Sequence, residues 1–207
     1  MLKEFDEQYR KEGFNLIVGC DEAGRGCLLG PVFAGAVILP SDFDSPLIND
    51  SKKLTEKKRE QAYEEIIANA IAYGIGRVEP EEIDKINILN ASRLAMERAI
   101  DNMKHDFDIA LTDYMKIPDL PKPVIPIAHG DAKSLSIAAA SILAKVSRDR
   151  WCIEIDSTYP LYNIKKNKGY GTKDHLDALD LYGPVKGLHR FTYAPVANRL
   201  IKKVTLF

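Results

Sequence analysis

The chain has 207 residues, an apolar fraction of 45% and a formal net charge of −1. That is enough apolar material for one large domain with a full core, and the bulk charge announces no polyanionic partner. The longest apolar runs, such as residues 31–40, are too short to span a bilayer. The charged start of the chain lacks the apolar stretch of a secretory signal.

In chain order, residues 1–12 read as a short polar helix. Residues 14–21 form a strand-like run ending at an acidic pair, and 32–39 a second strand, hairpin-connected to the first. Residues 54–70 are an amphipathic helix with Thr55 as N-cap, and 71–79 a third strand. A helical stretch over 81–103 is broken near Asn87. Residues 107–113 and 122–129 are two further short strands, and 134–159 a long helix with small residues on much of its surface. Residues 160–171 read as a Lys- and Gly-rich loop, 172–183 as a helix stopped by Gly183-Pro184, and 194–204 as a last helix. Three early strands, the first two with no helix between them, followed by strand–helix alternation, predict an α/β fold with a mixed sheet covered on both faces.

Charge is unevenly spread. Residues 160–207 carry nine Lys/Arg and three Asp, a net of +6, which leaves −7 on the first 159. A basic region facing an anion and a solvated surface helix both fit that asymmetry. Cys20, Cys27 and Cys152 are three in number and scattered, without C-x-x-C spacing. They read as reduced core thiols of a cytoplasmic protein rather than a disulfide framework or zinc site.

The chemistry concentrates in GCDEAGRGCLLGP, residues 19–31. Asp21 and Glu22 end an apolar strand, and Asp113 ends another, in ALTDYM. Asp131, in IAHGDAKS, lies between a strand and the long helix. In open α/β sheets sites gather at strand C-termini, which places Asp21 and Asp113 together. Neighbouring residues of a regular strand face opposite ways, so Asp21 and Glu22 share one locus only if the backbone leaves the pleat there, helped by Gly24. Four acids from three strand ends suit Mg²⁺ or Mn²⁺, which take oxygen ligands, and a two-metal site acting on phosphoesters. Taken singly, each Asp also reads as a turn residue or helix cap, Asp131 near Ser136 above all. Gly24, Arg25 and Gly26 can bring backbone N–H groups close to a ligand, with Arg25 reaching a phosphate or the nearby carboxylates.

Taken in order, DEAGRG (21–26) with GPV (30–32), NDSKKLT (49–55), ALTD (110–113), GDAKSLSIAAASILAKVSRDR (130–150), KGYGTKDH (168–175) and GLHRFTYAPV (187–196) make the chain resemble ribonuclease HII, the type 2 ribonuclease H. The resemblance implies a ribonuclease H-like mixed five-stranded sheet flanked by helices, with a helical C-terminal extension, in a single domain over residues 1–207. It implies hydrolysis of the RNA strand of RNA–DNA hybrids, and incision 5′ of single ribonucleotides embedded in duplex DNA, leaving 3′-hydroxyl and 5′-phosphate ends. The acidic quartet falls on Asp21, Glu22, Asp113 and Asp131, holding two Mg²⁺ or Mn²⁺ ions. Gly24, Arg25 and Gly26 would read the 2′-hydroxyl, largely through backbone groups, and Tyr170 would stack on the sugar next to the scissile bond. Lys52, Lys53 and Lys168, the last with Lys165 and Lys166, would meet phosphates. Lys145 and Arg148 would serve the nucleic-acid backbone or an internal ion pair.

The chain departs from that family pattern at Cys27, where proline is common, which would loosen the turn, and at His129, where lysine is frequent. Residues 189–193 vary an aromatic ending, with little expected effect on chemistry. The apolar end, residues 205–207, is a candidate docking peptide for a sliding clamp, against the plainer reading of a packed or frayed terminus. Ribonuclease HIII carries a further N-terminal substrate-binding domain, for which the 20 residues before Asp21 leave no room. A non-catalytic hybrid-binding protein would not need four acids facing phosphates. A monomer that does not associate with membranes is expected.

Overall fold

The computed structural model describes residues 2–48 and 54–204, with side chains through Leu200. Helix α1 (Leu2–Lys11) precedes β1 (Ile17–Ala23), and the chain turns back into β2 (Val32–Ile38). Helix α2 (Glu56–Asn69), β3 (Ala72–Val78) and α3 (Pro80–Met103) follow. Next come β4 (Ile109–Asp113), β5 (Val124–Ile127) and the long α4 (Leu135–Asp156). The C-terminal segment carries α5 (Ile164–Asn167), α6 (Lys173–Tyr182) and α7 (Ala194–Val204). The strands make one five-stranded sheet in the order β3-β2-β1-β4-β5. β1, β2 and β3 pair antiparallel, and β4 and β5 extend the sheet in parallel. This is the mixed sheet the sequence predicts.

Local chemistry sets the helix ends. The Thr55 hydroxyl accepts the Lys58 N–H at the start of α2, as expected. The break in α3 is present: Asn87 sits at φ 65, ψ 165, and its Oδ1 accepts the N–H groups of Leu89 and Asn90 at 3.0 and 3.1 Å. It therefore caps the second part of the helix. Ser134 caps α4 by accepting the Ile137 N–H at 3.2 Å. Asp6 of α1 accepts both the N–H and the hydroxyl of Ser136, at 2.8 and 2.7 Å, which pins α1 to the same helix end.

Strand alternation divides the core. Val18 and Cys20 face α3, with Ala91, Ala95 and Met96 packed against them. Ile17 faces the other way, toward Ile137 of α4. Helix α4 rests almost directly on the strands. A Cβ on Gly19 would lie 2.0 Å from the carbonyl carbon of Ser136, and one on Gly35 2.4 Å from the Ala140 oxygen. The small residues noted on α4 belong to this close approach, since Ala138, Ala139 and Ala140 are buried there.

One expectation is corrected. Residues 160–171 are not simply a loop, because a 3₁₀ turn at Pro160–Tyr162 and the short α5 occupy much of that stretch. Tyr162 and Ile164 are buried with Leu28, Leu29, Cys152 and Leu188, and this apolar anchor orders a segment whose lysines are all that composition reveals. All three cysteines are buried free thiols. Among the described residues no helix is long and apolar enough to cross a membrane.

Candidate active site

The register of β1 on β4 pairs Cys20 with Thr112, so Asp21 and the strand-ending Asp113 lie side by side at the same end of the sheet. Aligned residues of parallel neighbours share a face, and for these two it is the face carrying α4. Asp21 is buried and hydrogen-bonds Ser141 of α4, while its Oδ1 accepts the Glu22 N–H at 2.7 Å. Asp113 Oδ1 accepts the Gly130 N–H at 2.7 Å, which draws in the 3₁₀ turn Gly130–Ala132 and with it the buried Asp131. Asp131 is not the cap of α4, a place Ser134 fills.

A second expectation is corrected at Glu22. The backbone does not leave the pleat at the acidic pair: β1 stays paired to β2 through Glu22 and Ala23, opposite Ala34 and Phe33. Asp21 and Glu22 thus start from opposite faces of the strand, and the antiparallel partner β2 holds them there. Glu22 is nonetheless no surface acid. Its side chain is 8% exposed, and its Oε1 meets Arg25 Nη1 at 3.2 Å. Arg25 is the cation set among the carboxylates, resolving the alternative left open by the sequence toward its acidic neighbour. Burial, then the charges of Glu22 and Asp113, push the Asp21 carboxyl well above its usual range. Burial raises Glu22 as well, with Arg25 opposing it and Asp113 adding to it.

Among the described residues, no three His, Cys, Asp or Glu side chains stand as a ready-made metal shell. The donors nonetheless fit a hard divalent cation. They are all carboxylate oxygens, Asp21 and Glu22 both feel Asp113, and Glu22 Oε2 is buried without a hydrogen-bond partner.

The loop after β1 is held from beneath by two buried arginines, Arg148 and Arg190. Gly24 has φ +96, and a Cβ there would lie 2.1 Å from Arg148 Nε. Arg148 Nη1 donates to the Lys168 carbonyl at 2.8 Å. Arg190 Nε and Nη2 donate to the Gly30 carbonyl at 3.0 and 2.8 Å, and Nη1 donates to the Arg25 carbonyl at 2.9 Å. The Tyr193 hydroxyl donates to the same Arg25 oxygen at 2.7 Å. A fork of this kind is what a planar guanidinium can make. Sequence reasoning missed Arg190, counting residues 189–193 as chemically minor. Arg148 was noticed; it is buried, and its bonds run to the backbone carbonyls of Lys168 and Leu29 rather than to an acidic partner. Lys145 makes the expected internal ion pair, with Asp149 at 3.0 Å.

The same bonds bring the Gly-Arg-Gly loop and the Lys-Gly-Tyr-Gly loop together. The Leu28 N–H donates to the Gly169 carbonyl at 2.8 Å, and Cys27 Sγ lies 3.5 Å from the Lys168 carbonyl. Cys27 therefore ties the turn to residues 168–171, where a looser turn was expected. Tyr170 is 45% exposed, and its phenol interacts with the Cys27 thiol. Burial, then that thiol, raises the phenol's pKa. Lys168 is 19% exposed, with Nζ 4.0 Å from Glu56, whereas Lys166 is exposed and pairs with Asp174. His129 is exposed, at φ 55. Lys52, Lys53 and residues 205–207 lie outside the described residues.

Carboxylates grouped at the ends of adjacent strands in a five-stranded mixed sheet suit a nuclease of ribonuclease H-like fold. Solved structures of that fold superpose on the chain. Ribonuclease H2 from Pyrococcus horikoshii OT3 has a TM-score of 0.75 at 23% identity, over 90% of this chain and 97% of that one. Bst-RNase HIII in complex with Mn²⁺ has 0.74 at 14% identity, over 90% and 70%. RNase HII from Archaeoglobus fulgidus, solved in complex with PCNA, has 0.70 at 25% identity, over 86% and 95%. Residues 18–196 match the family model of ribonuclease HII. Ribonuclease HII of Caldanaerobacter subterraneus subsp. tengcongensis is 55% identical over 192 residues, 93% of this chain and 79% of its own. That of Caldicellulosiruptor bescii is 53% identical over 190 residues, 92% of each. The chain belongs to the ribonuclease HII family, the metal-dependent endoribonucleases of the ribonuclease H class.

Proposed function

We propose that the protein hydrolyses the RNA strand of RNA–DNA hybrids and incises duplex DNA on the 5′ side of a single embedded ribonucleotide, leaving 3′-hydroxyl and 5′-phosphate ends. The observation that carries this reading is the junction of three parts. The carboxylates of Asp21, Glu22 and Asp113 adjoin the Gly-Arg-Gly loop, and that loop is bonded to the loop bearing Tyr170.

In this reading Asp21, Glu22, Asp113 and Asp131 hold two divalent cations, Mg²⁺ or Mn²⁺. When bound, these supply charge for activating a water and stabilising the departing 3′ oxygen. Gly24, Arg25 and Gly26 present backbone groups to the 2′-hydroxyl, the one group that separates RNA from DNA at a given sugar. The firm grip of Arg190 and Tyr193 on the Arg25 carbonyl supports a rigid reader there. Tyr170, half exposed, lays its ring on the neighbouring sugar. Arg25 exchanges Glu22 for a substrate phosphate. Lys52, Lys53 and Lys168 meet further phosphates, which makes binding weaken with salt.

The test is cleavage of an end-labelled RNA–DNA hybrid with Mg²⁺ or Mn²⁺ and with chelator. Metal-dependent products ending in 3′-hydroxyl are expected. Products ending in 2′,3′-cyclic phosphate would show that an RNA hydroxyl attacks instead of water, cleavage that survives the chelator would show that no metal is needed, and either would refute the reading. The Archaeoglobus relative's complex with PCNA supports a sliding clamp as partner. If residues 205–207 form the contact, their deletion abolishes clamp binding, and unaltered binding would exclude them.

A further inference from the structure

His175 and His189 are buried, at 0% and 1% exposure, and no step above uses them. Their Nε2 atoms are 3.3 Å apart. The rest of each ring fixes which nitrogen carries the proton. The Val185 N–H can only donate, and it lies 3.0 Å from His189 Nδ1. His189 Nδ1 therefore accepts, and its proton is on Nε2. At the other end His175 Nδ1 lies 2.9 Å from the Tyr170 carbonyl, which can only accept. His175 Nδ1 therefore carries the proton, and its Nε2 is the free acceptor. The two ends independently require the same arrangement, with one donor and one acceptor at the central contact. The hydrogen bonds run one way, from Val185 through His189 and His175 to the carbonyl of Tyr170.

The surroundings keep both rings neutral. Burial, then the neighbouring His175, holds His189 down to about 4, and burial followed by the charge of Arg199 on α7 lowers His175. Arg199 is itself engaged with Asp180 at 2.8 Å. Tyr162 packs on both rings, with centroids 4.9 Å from His189 and 6.4 Å from His175. At the end of the chain of bonds, the Tyr170 N–H donates to the Asn167 carbonyl at 2.9 Å, and its carbonyl, which also accepts the Thr172 N–H at 2.8 Å, takes its one bond from outside the loop from His175. Tyr170 stands between Gly169, at φ +80, and Gly171.

We propose that His189 and His175 are positioning residues, a two-ring hydrogen-bonded relay that fixes the carbonyl of Tyr170 and so the place its ring takes against the substrate sugar. The proposal deepens the functional reading and rests on its assignment of Tyr170 to the substrate. The relay ties that exposed tyrosine to the turn at 185–189, which ends on the buried Leu188 and His189 and whose next residue, Arg190, holds the Gly-Arg-Gly loop. The two loops that would grip the ribonucleotide therefore share one buried support.

The test exploits the equal shapes of leucine and asparagine. Asparagine at 175 can still donate to the Tyr170 carbonyl from nearly the position of Nδ1, and leucine cannot. Incision of a single-ribonucleotide duplex is measured for His175→Leu, His175→Asn, Tyr170→Ala and the His175→Leu/Tyr170→Ala double variant, with the unfolding temperature of each. His175→Leu is expected to lose about tenfold or more in kcat with little change in KM, the scale of a misplaced positioning contact. His175→Asn is expected to recover most of it, although burying its amide makes it no more stable than His175→Leu. In the Tyr170→Ala background the leucine should cost nothing further. Equal losses for leucine and asparagine, tracking unfolding temperature, would make the pair merely structural. A leucine loss that persists without the Tyr170 ring would overturn the relay and leave the reading of Tyr170 standing. Incision indifferent to Tyr170→Ala would remove both. Should His175→Leu not fold, His189→Leu in the two backgrounds carries the same comparison from the far end of the relay.

Discussion

Asp21→Asn is expected to raise the unfolding temperature of the metal-free protein while cutting hydrolysis by more than about a hundredfold. The carboxylate is buried, faces Ser141, and sits among the negative charges of Glu22 and Asp113. Burial and those charges hold its carboxyl well above the usual carboxylate range in the folded protein. Where a folded pKa is raised, the native state is favoured below the unfolded value and that advantage is lost as pH climbs through the folded value. At neutral pH without metal, Asp21 is therefore a burden on the fold. Asparagine removes the charge at nearly constant shape, and the gain should be on the order of 1–3 kcal/mol, the range for relieving an uncompensated buried polar group. The advantage should fade as pH falls toward 4 and shrink when Mg²⁺ is added, because a cation among the carboxylates stabilises only the native charged form. The activity loss exceeds the ten- to hundredfold seen for residues that merely support metal ligands, since Asp21 is proposed as a ligand itself. Thermal unfolding across pH, with and without Mg²⁺, beside a cleavage assay, checks all of this. An Asp21→Asn variant less stable than its parent at pH 7 without metal would contradict the electrostatic account of the cluster.

Arg190→Ala should be the most destabilising single change in the C-terminal segment, by roughly 3–5 kcal/mol, as for removal of one partner from a buried charged network or truncation of a large core side chain. The guanidinium makes four hydrogen bonds, to the Gly30 carbonyl twice, the Arg25 carbonyl and the Tyr193 hydroxyl. It is fully buried, so alanine leaves a cavity, strips the Gly30 carbonyl of both its bonds and leaves the Arg25 carbonyl with the Tyr193 hydroxyl alone. Arg190→Lys keeps the charge but not the fork, and should recover less than half of the loss. Urea unfolding gives the stability. Cleavage well below the unfolding transition separates the second consequence, a loosened Arg25 backbone and a lower kcat on ribonucleotide-containing duplex. A lysine variant as stable as the parent would show that the site asks only for a cation.

The parts of this architecture that the sequence reveals are those with a local signature. The apolar runs before Asp21 and Asp113 both terminate in a carboxylate, and the parallel pairing of Cys20 with Thr112 sets those carboxylates side by side. Thr55 and Asn87 act on their own helices within three residues, so a cap and a break could be read directly. What escaped notice depends on contacts across long stretches of chain. Arg190 meets residues 25 and 30 across more than 150 positions, and a buried arginine has no periodicity to betray it. The 3₁₀ turn and α5 form because Tyr162 and Ile164 pack under Leu28 and Leu29, while the lysines around them suggest only an exposed loop. Alternation along β1 correctly raised the difficulty of aiming Asp21 and Glu22 together. Its expected solution, an early end to the strand, fails because β2 continues the pairing through Ala23. His175 and His189 stood in quoted motifs, yet only their three-dimensional contact gives them a direction.

The most direct test of the central claim uses a labelled DNA duplex carrying one ribonucleotide, incubated with the protein and Mg²⁺ or Mn²⁺ beside an all-DNA duplex and the Asp21→Asn variant. One cut on the 5′ side of the ribonucleotide is predicted, ending in a 3′-hydroxyl, with none in all-DNA or with the variant. Binding of the ribonucleotide duplex without any cut, with either metal, would contradict the account and leave a hybrid-binding protein in its place.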